Sequence, residues 1–139
     1  MGKIDTIQVG DRASLKKTAT DACVKAMAEI TGDFNKMHVD DAYAAKTVFG
    51  RRIAHGLFCL GMVSNLLGTQ LPGEGTVLLS QEIKYKLPVY IGDEIEAVVE
   101  VTEIFPEKSR VHLAFWCVNQ NGKTVLEGST AIKWMEVED

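Results

Sequence analysis

Asp33 and His38 are the residues best suited by type and spacing to move a proton. They close the segment Thr31-Gly32-Asp33-Phe34-Asn35-Lys36-Met37-His38. On a helix, groups five residues apart point about 140° away from one another. They converge only if the segment is a loop, and Gly32 and Asn35 permit one. A carboxylate and an imidazole aimed at one point can hold a water and take its proton. The plainer alternative is Asp33 as a turn residue and His38 as loop packing. His55-Gly56 opens a strongly apolar run. A helix starting there would offer free N–H groups, and Gly56 would let a ligand approach the backbone. Such donors could receive a carbonyl oxygen that gains negative charge. Gly56 could equally serve only close packing, with His55 as a cap. Ser64 falls two helical turns beyond Gly56, close to the same side. It suits pocket hydrogen bonding or a bond back to its own helix. No G-x-S-x-G elbow surrounds it, so it is not a hydrolase nucleophile.

Other chemistry is weaker. His112 sits in an alternating strand and reads as a partly exposed strand histidine. A metal set of His38, Asp40, Asp41 and His55 lacks a recognised ligand spacing, so no metal site is expected. Gly73-x-Gly75 lacks the third glycine of a phosphate loop and reads as a turn. Cys23, Cys59 and Cys117 are odd in number, far apart and in apolar company. They are expected as reduced thiols of a cytoplasmic protein.

The elements that must position these groups follow from periodicity. Thr20 or Asp21 caps a helix carrying Ala22, Cys23, Ala26, Met27 and Ile30, which stops at Gly32. A short helix is expected around Asp40–Ala45. Ile53 to Leu67 is apolar nearly all round, so it is expected as a helix wrapped on most sides. An edge strand follows the Val9-Gly10-Asp11 turn. Strands are expected over 77–87, 94–104, 111–118 and 125–135, with Ile95, Ala97, Val99 and Val101 on one face. Asn121-Gly122 predicts a type I′ hairpin turn. The result is an α+β chain, residues 1–139 forming one domain. An antiparallel sheet wraps one long central helix, the hot-dog architecture. Its leftover edge predicts a homodimer.

Composition bounds the function. The 139 residues are 46% hydrophobic and 24% charged, an ordinary globular balance that argues against disorder. With 15 Lys+Arg against 19 Asp+Glu, the net charge of −4 argues against a nucleic-acid binder. No apolar run is long enough to span a membrane, and the first residues lack the apolar core of a signal peptide. Met1-Gly2 followed by Thr6 fits the loose myristoylation pattern, but no polybasic patch supports it.

The run Gly32-Asp33-Phe34-Asn35-Lys36-Met37-His38-Val39-Asp40, followed by Ile53-Ala54-His55-Gly56-Leu57, resembles the MaoC-like, (R)-specific enoyl-CoA hydratase family. Leu71-Pro72-Gly73 and Pro88-Val89-Tyr90-Ile91-Gly92-Asp93 are similar too. Lys36 departs from the motif by standing in the proline position. The resemblance implies a dimeric hot-dog hydro-lyase of fatty-acid metabolism that hydrates trans-2-enoyl-CoA to (R)-3-hydroxyacyl-CoA. Asp33 would be the base, His38 the proton donor and Gly56 N–H the oxyanion donor. Asn35 would hold the loop or the Asp33 carboxylate, and His55 and Ser64 would join Asn35 in binding substrate. No metal or redox cofactor is implied, since CoA is part of the substrate. Arg51, Arg52, Lys84 and Lys86 are candidates for its phosphates. A hot-dog thioesterase, or a module that only binds acyl-CoA or acyl-carrier protein, is the competing expectation.

Overall fold

The computed structural model describes residues 3–136, so Met1 and Gly2, with the myristoylation pattern they begin, lie outside the described residues. After a 3-10 turn at Lys3–Thr6, the elements run β1 (Arg12–Thr18), α1 (Asp21–Thr31), α2 (Lys36–Val39), α3 (Asp41–Ala45), α4 (Gly56–Thr69), β2 (Thr76–Tyr85), β3 (Glu94–Phe105), a second 3-10 turn (Pro106–Lys108), β4 (Arg110–Val118) and β5 (Thr124–Trp134). The five strands form one antiparallel sheet in the order β1-β3-β4-β5-β2. The sheet curls over α4 in the hot-dog arrangement.

Alternation explains the sheet. Ile95, Ala97, Val99 and Val101 of β3 are buried, as are Val111, Leu113, Phe115 and Cys117 of β4. Their partners in register, such as Val99 opposite Phe115, put both sets on one face. That face meets Phe58, Cys59, Met62, Val63, Leu66 and Leu67 of α4. A fully buried side chain of this size contributes roughly 1.5–3 kcal/mol. The same packing fixes where the first residue of α4 stands.

Two expectations need correction, and a third holds. Within the apolar run from Ile53 the helix opens at His55-Gly56, as expected. Ile53 pairs with Tyr90 in an isolated bridge, His55 is extended, and the helix begins at Gly56. Contrary to expectation, α4 is not wrapped on most sides. Leu57, Gly61, Ser64 and Asn65 are exposed, because one sheet covers only one side of a helix. The Asn121-Gly122 turn is not type I′, which needs positive φ at both central residues. Only Gly122 is left-handed there (φ 74), and its N–H bonds back to Asn119 C=O at 3.0 Å. Asn119 Oδ1 accepts from the N–H groups of Asn121 and Lys123, so a side chain stabilises the alternative turn.

The cysteines are free thiols. The hydrogen bond with Cys59, together with burial, pushes the Cys117 thiol far above its usual range, so it stays protonated and unreactive.

Candidate active site

Local backbone chemistry builds the site. Thr20 Oγ1 caps α1 by accepting from Cys23 N–H at 3.1 Å, and left-handed Gly32 (φ 77) ends that helix. The chain then passes through Asp33 without regular structure. Asp33 Oδ1 accepts from Asn35 N–H at 3.1 Å, and Asn35 Oδ1 caps α2 by accepting from Met37 N–H at 3.1 Å. Lys36 is therefore the first residue of a helix, a position that favours proline but needs no proline when a cap is present. The loop is held by Asp33 and Asn35, and Lys36 leans over Tyr43, its Nζ 5.9 Å from the ring centre. His38 lies inside α2, one turn long, so the Asp33–His38 segment is half loop and half helix.

Backbone carbonyls fix both imidazoles. His38 is buried, and its Nδ1 lies 2.7 Å from Ile53 O. A carbonyl only accepts, so Nδ1 carries the hydrogen and Nε2 is left for chemistry. His55 Nε2 lies 2.9 Å from Asp33 O and donates there by the same logic. Its buried Nδ1 has no hydrogen-bond partner among the described residues. The two rings stack with centroids 3.9 Å apart. Arg52 holds the arrangement from behind: Nε donates to His38 O at 2.6 Å and a terminal nitrogen to Asp21 Oδ1 at 2.6 Å. Hydrogen bonds from Lys25 and from Arg52 hold the Asp21 carboxyl below its usual range.

One carboxylate oxygen of Asp33 and one ring nitrogen each of His38 and His55 lie within 4.8 Å of one another. A water fits between groups at such spacing. Two imidazoles and a carboxylate could also hold a divalent ion. This is not the set His38, Asp40, Asp41 and His55 considered from sequence. Asp40 Oδ1 instead caps α3 by accepting from Tyr43 N–H at 3.0 Å, and Asp41 faces Arg52 at 3.7 Å. The Asp33 side chain is 49% exposed, whereas both rings sit inside.

His38, His55 and Gly56 line one cavity of about 340 Å³ with Cys59, Leu87 and Leu126 among its apolar walls. Gly56 is the first residue of α4, so its N–H has no acceptor within the helix. A Cβ there would come 2.5 Å from the Tyr85 ring, which explains the glycine. A larger groove of about 740 Å³ crosses β2, β4 and β5, but shares no residue with this cavity and holds neither Asp33 nor a histidine.

The structure brings Asp33, His38, His55 and Gly56 together, with Asn35 bracing the loop. Ser64 does not line the cavity; it lies on the exposed face of α4. His55 turns its hydrogen bond toward the Asp33 backbone while its ring faces the cavity. Arg52, a phosphate candidate from sequence, is tied instead into Asp21, Asp41 and the His38 carbonyl. The sequence reading missed Phe49 and Val125 as cavity walls, and Cys59 was detectable as the residue three positions beyond Gly56 on the helix. His112 lies apart, 3.7 Å from Glu103.

A family model described as "MaoC like domain" matches residues 6–115. The chain belongs to the MaoC-like family. This MaoC-like chain is 43% identical to a 3-hydroxybutyryl-CoA dehydratase of Methylorubrum extorquens over 97% of its own length and 85% of the relative's. It is 41% identical to an (R)-specific enoyl-CoA hydratase of Aeromonas caviae over 92% of its length and 96% of the relative's. The solved (R)-hydratase from A. caviae, described as involved in PHA biosynthesis, superposes with a TM-score of 0.90 at 40% identity, covering 94% of this MaoC-like chain and 98% of that one.

Proposed function

We propose that this chain is a hydro-lyase that reversibly hydrates trans-2-enoyl-CoA to (R)-3-hydroxyacyl-CoA. The observation that carries this reading is the placement of the Asp33 carboxylate within 4.8 Å of one ring nitrogen each of His38 and His55, the two histidines that line a cavity at the N-terminus of α4. Asp33 takes a proton from water as its oxygen bonds to Cβ. The electron pair of the double bond moves toward the thioester, whose oxygen accepts from Gly56 N–H. Oriented N–H donors of this kind are worth about 10²–10³ in kcat each. His38 in its charged form delivers a proton from Nε2 to Cα, and a proton passed from Asp33 to His38 resets the pair. Asn35 and His55 hold Asp33 from its two sides. The scheme uses no metal or redox cofactor.

The test is loss of the conjugated enone absorbance of crotonyl-CoA without release of free thiol. The product should stay invisible to an (S)-specific hydroxyacyl-CoA dehydrogenase. Free thiol would instead identify a thioesterase, and a signal from the dehydrogenase would remove the (R) assignment.

The working form is a homodimer. Strand β2 is a sheet edge that exposes Val77, Leu78 and Leu79, and Leu57 and Gly61 leave α4 open. An apolar edge of this length is normally covered. A second copy would also shield half-exposed Asp33 and put Ser64 inside an interface. Light scattering at micromolar concentration is expected to give about twice the 15.3 kDa chain mass. A monomer that still hydrates crotonyl-CoA would refute this assembly.

A further inference from the structure

We propose that a second recess beside the site cavity receives the nucleotide end of CoA, with Arg51 pairing its phosphate. This rests on the hydratase reading and selects free CoA over a pantetheine arm carried on a protein, which lacks the adenosine. The recess, about 310 Å³, is walled by Arg51, Tyr90 and the turn at 119–121, and it shares Leu87 and Pro88 with the site cavity. A pantetheine arm leaving the Gly56 end can therefore pass Leu87 and Pro88 without crossing a secondary-structure element.

Charge selects Arg51 among the four cations. Arg52 is committed to Asp21, Asp41 and the His38 carbonyl. Lys86 pairs with Glu127 at 3.2 Å, and Lys84 opens onto the larger, separate groove. Arg51 makes no ion pair or hydrogen bond among the described residues, and its guanidinium lies 4.0 Å from the centre of the Tyr90 ring. That ring is fixed, because its hydroxyl donates to Phe49 O at 3.0 Å. Stacking restrains the guanidinium while leaving its N–H edge free to grip a phosphate with two parallel bonds.

The remaining polar groups fit a nucleotide. Asp93 is the one carboxylate in the wall. Its oxygens accept from Gln120 Nε2 at 2.9 Å and Tyr90 N–H at 2.9 Å, both uncharged donors, so its negative charge limits how far an anion can enter past Arg51. The side-chain NH₂ groups of Asn119 and Asn121 have no acceptor among the described residues and can donate to ring nitrogens or ribose oxygens.

Calorimetric titration of the full chain with CoA and with 3′-dephospho-CoA, parent against Arg51→Ala, tests the proposal without catalysis. Loss of a charge-assisted contact of this kind weakens binding roughly 10- to 100-fold. The parent should bind CoA with an affinity that falls with added salt, and Arg51→Ala should lose both the affinity and most of the salt dependence. Arg51→Lys should recover only part, since a point charge replaces the fork. In turnover, parent enzyme should prefer crotonyl-CoA to crotonyl-pantetheine in kcat/KM, and the variant should lose that preference through KM. Equal CoA binding by parent and Arg51→Ala, or no CoA binding by the parent, overturns the recess assignment. Failure of the parent to hydrate either thioester overturns the hydratase reading alone, because the titration still decides the recess.

Discussion

Asp33→Asn should lower kcat by about 10²–10⁴ while leaving the fold intact, because general-base catalysis has that size. The amide keeps the shape of the carboxylate, and Oδ1 can still accept from Asn35 N–H as the carboxylate does at 3.1 Å. The side chain is half exposed, so the change leaves no buried charge unpaired. What disappears is the ability to take a proton from water. KM should move little, since Asp33 faces the water and not the thioester. Near-full turnover by this variant would return Asp33 to the role of a turn residue.

His38→Ala should cost a similar factor, because Cα then has no proton donor beside it. The double variant should be little slower than either single one, since residues acting as a unit are far from additive. Losses that multiply in the double variant would show that the two groups do not share one water. Part of the His38 effect would be structural. Its Nδ1 holds Ile53 O at 2.7 Å and its ring stacks on His55, so deletion loosens the strand entering α4. His38→Asn, which keeps a donor near the Ile53 carbonyl but no imidazole, separates the two contributions: it should restore melting temperature without restoring rate.

Much of this was legible in the residues, for identifiable reasons. The β3 and β4 alternation survived folding because one sheet face meets α4 and the other meets solvent or polar groups. Gly32, Asn35 and Gly56 each do what their chemistry allows: end a helix, cap one, and let one begin against Tyr85. The errors share a cause as well. Periodicity counts apolar residues but does not say how many sides of a helix a single chain can cover. It thus buried the Leu57–Ser64 face that this chain leaves open. Local pairs such as Asn121-Gly122 state a preference that a third residue, here Asn119, can overrule. Arg52 was read as a free cation because nothing near it in sequence reveals Asp21, thirty-one residues earlier, as its partner.

The clasp between residues 37–38 and 52–53 has a consequence for how such chains can diverge. Arg52 Nε grips His38 O at 2.6 Å and Ile53 N–H reaches Met37 O at 3.1 Å, so the two ends of the excursion are stitched together at its base. Its tip, at Val48, is 93% exposed. With the base closed, lengthening the tip gives up the turn bonds across Val48, Gly50 N–H to Thr47 O at 3.1 Å and Phe49 N–H to Thr47 Oγ1 at 3.3 Å, and beyond these adds loop entropy of about 0.6 kcal/mol for each doubling of length. Descendants of this chain can therefore gain or lose residues around Val48 while the imidazole a few residues away keeps its place, and a foreign peptide could be spliced in there by the same route.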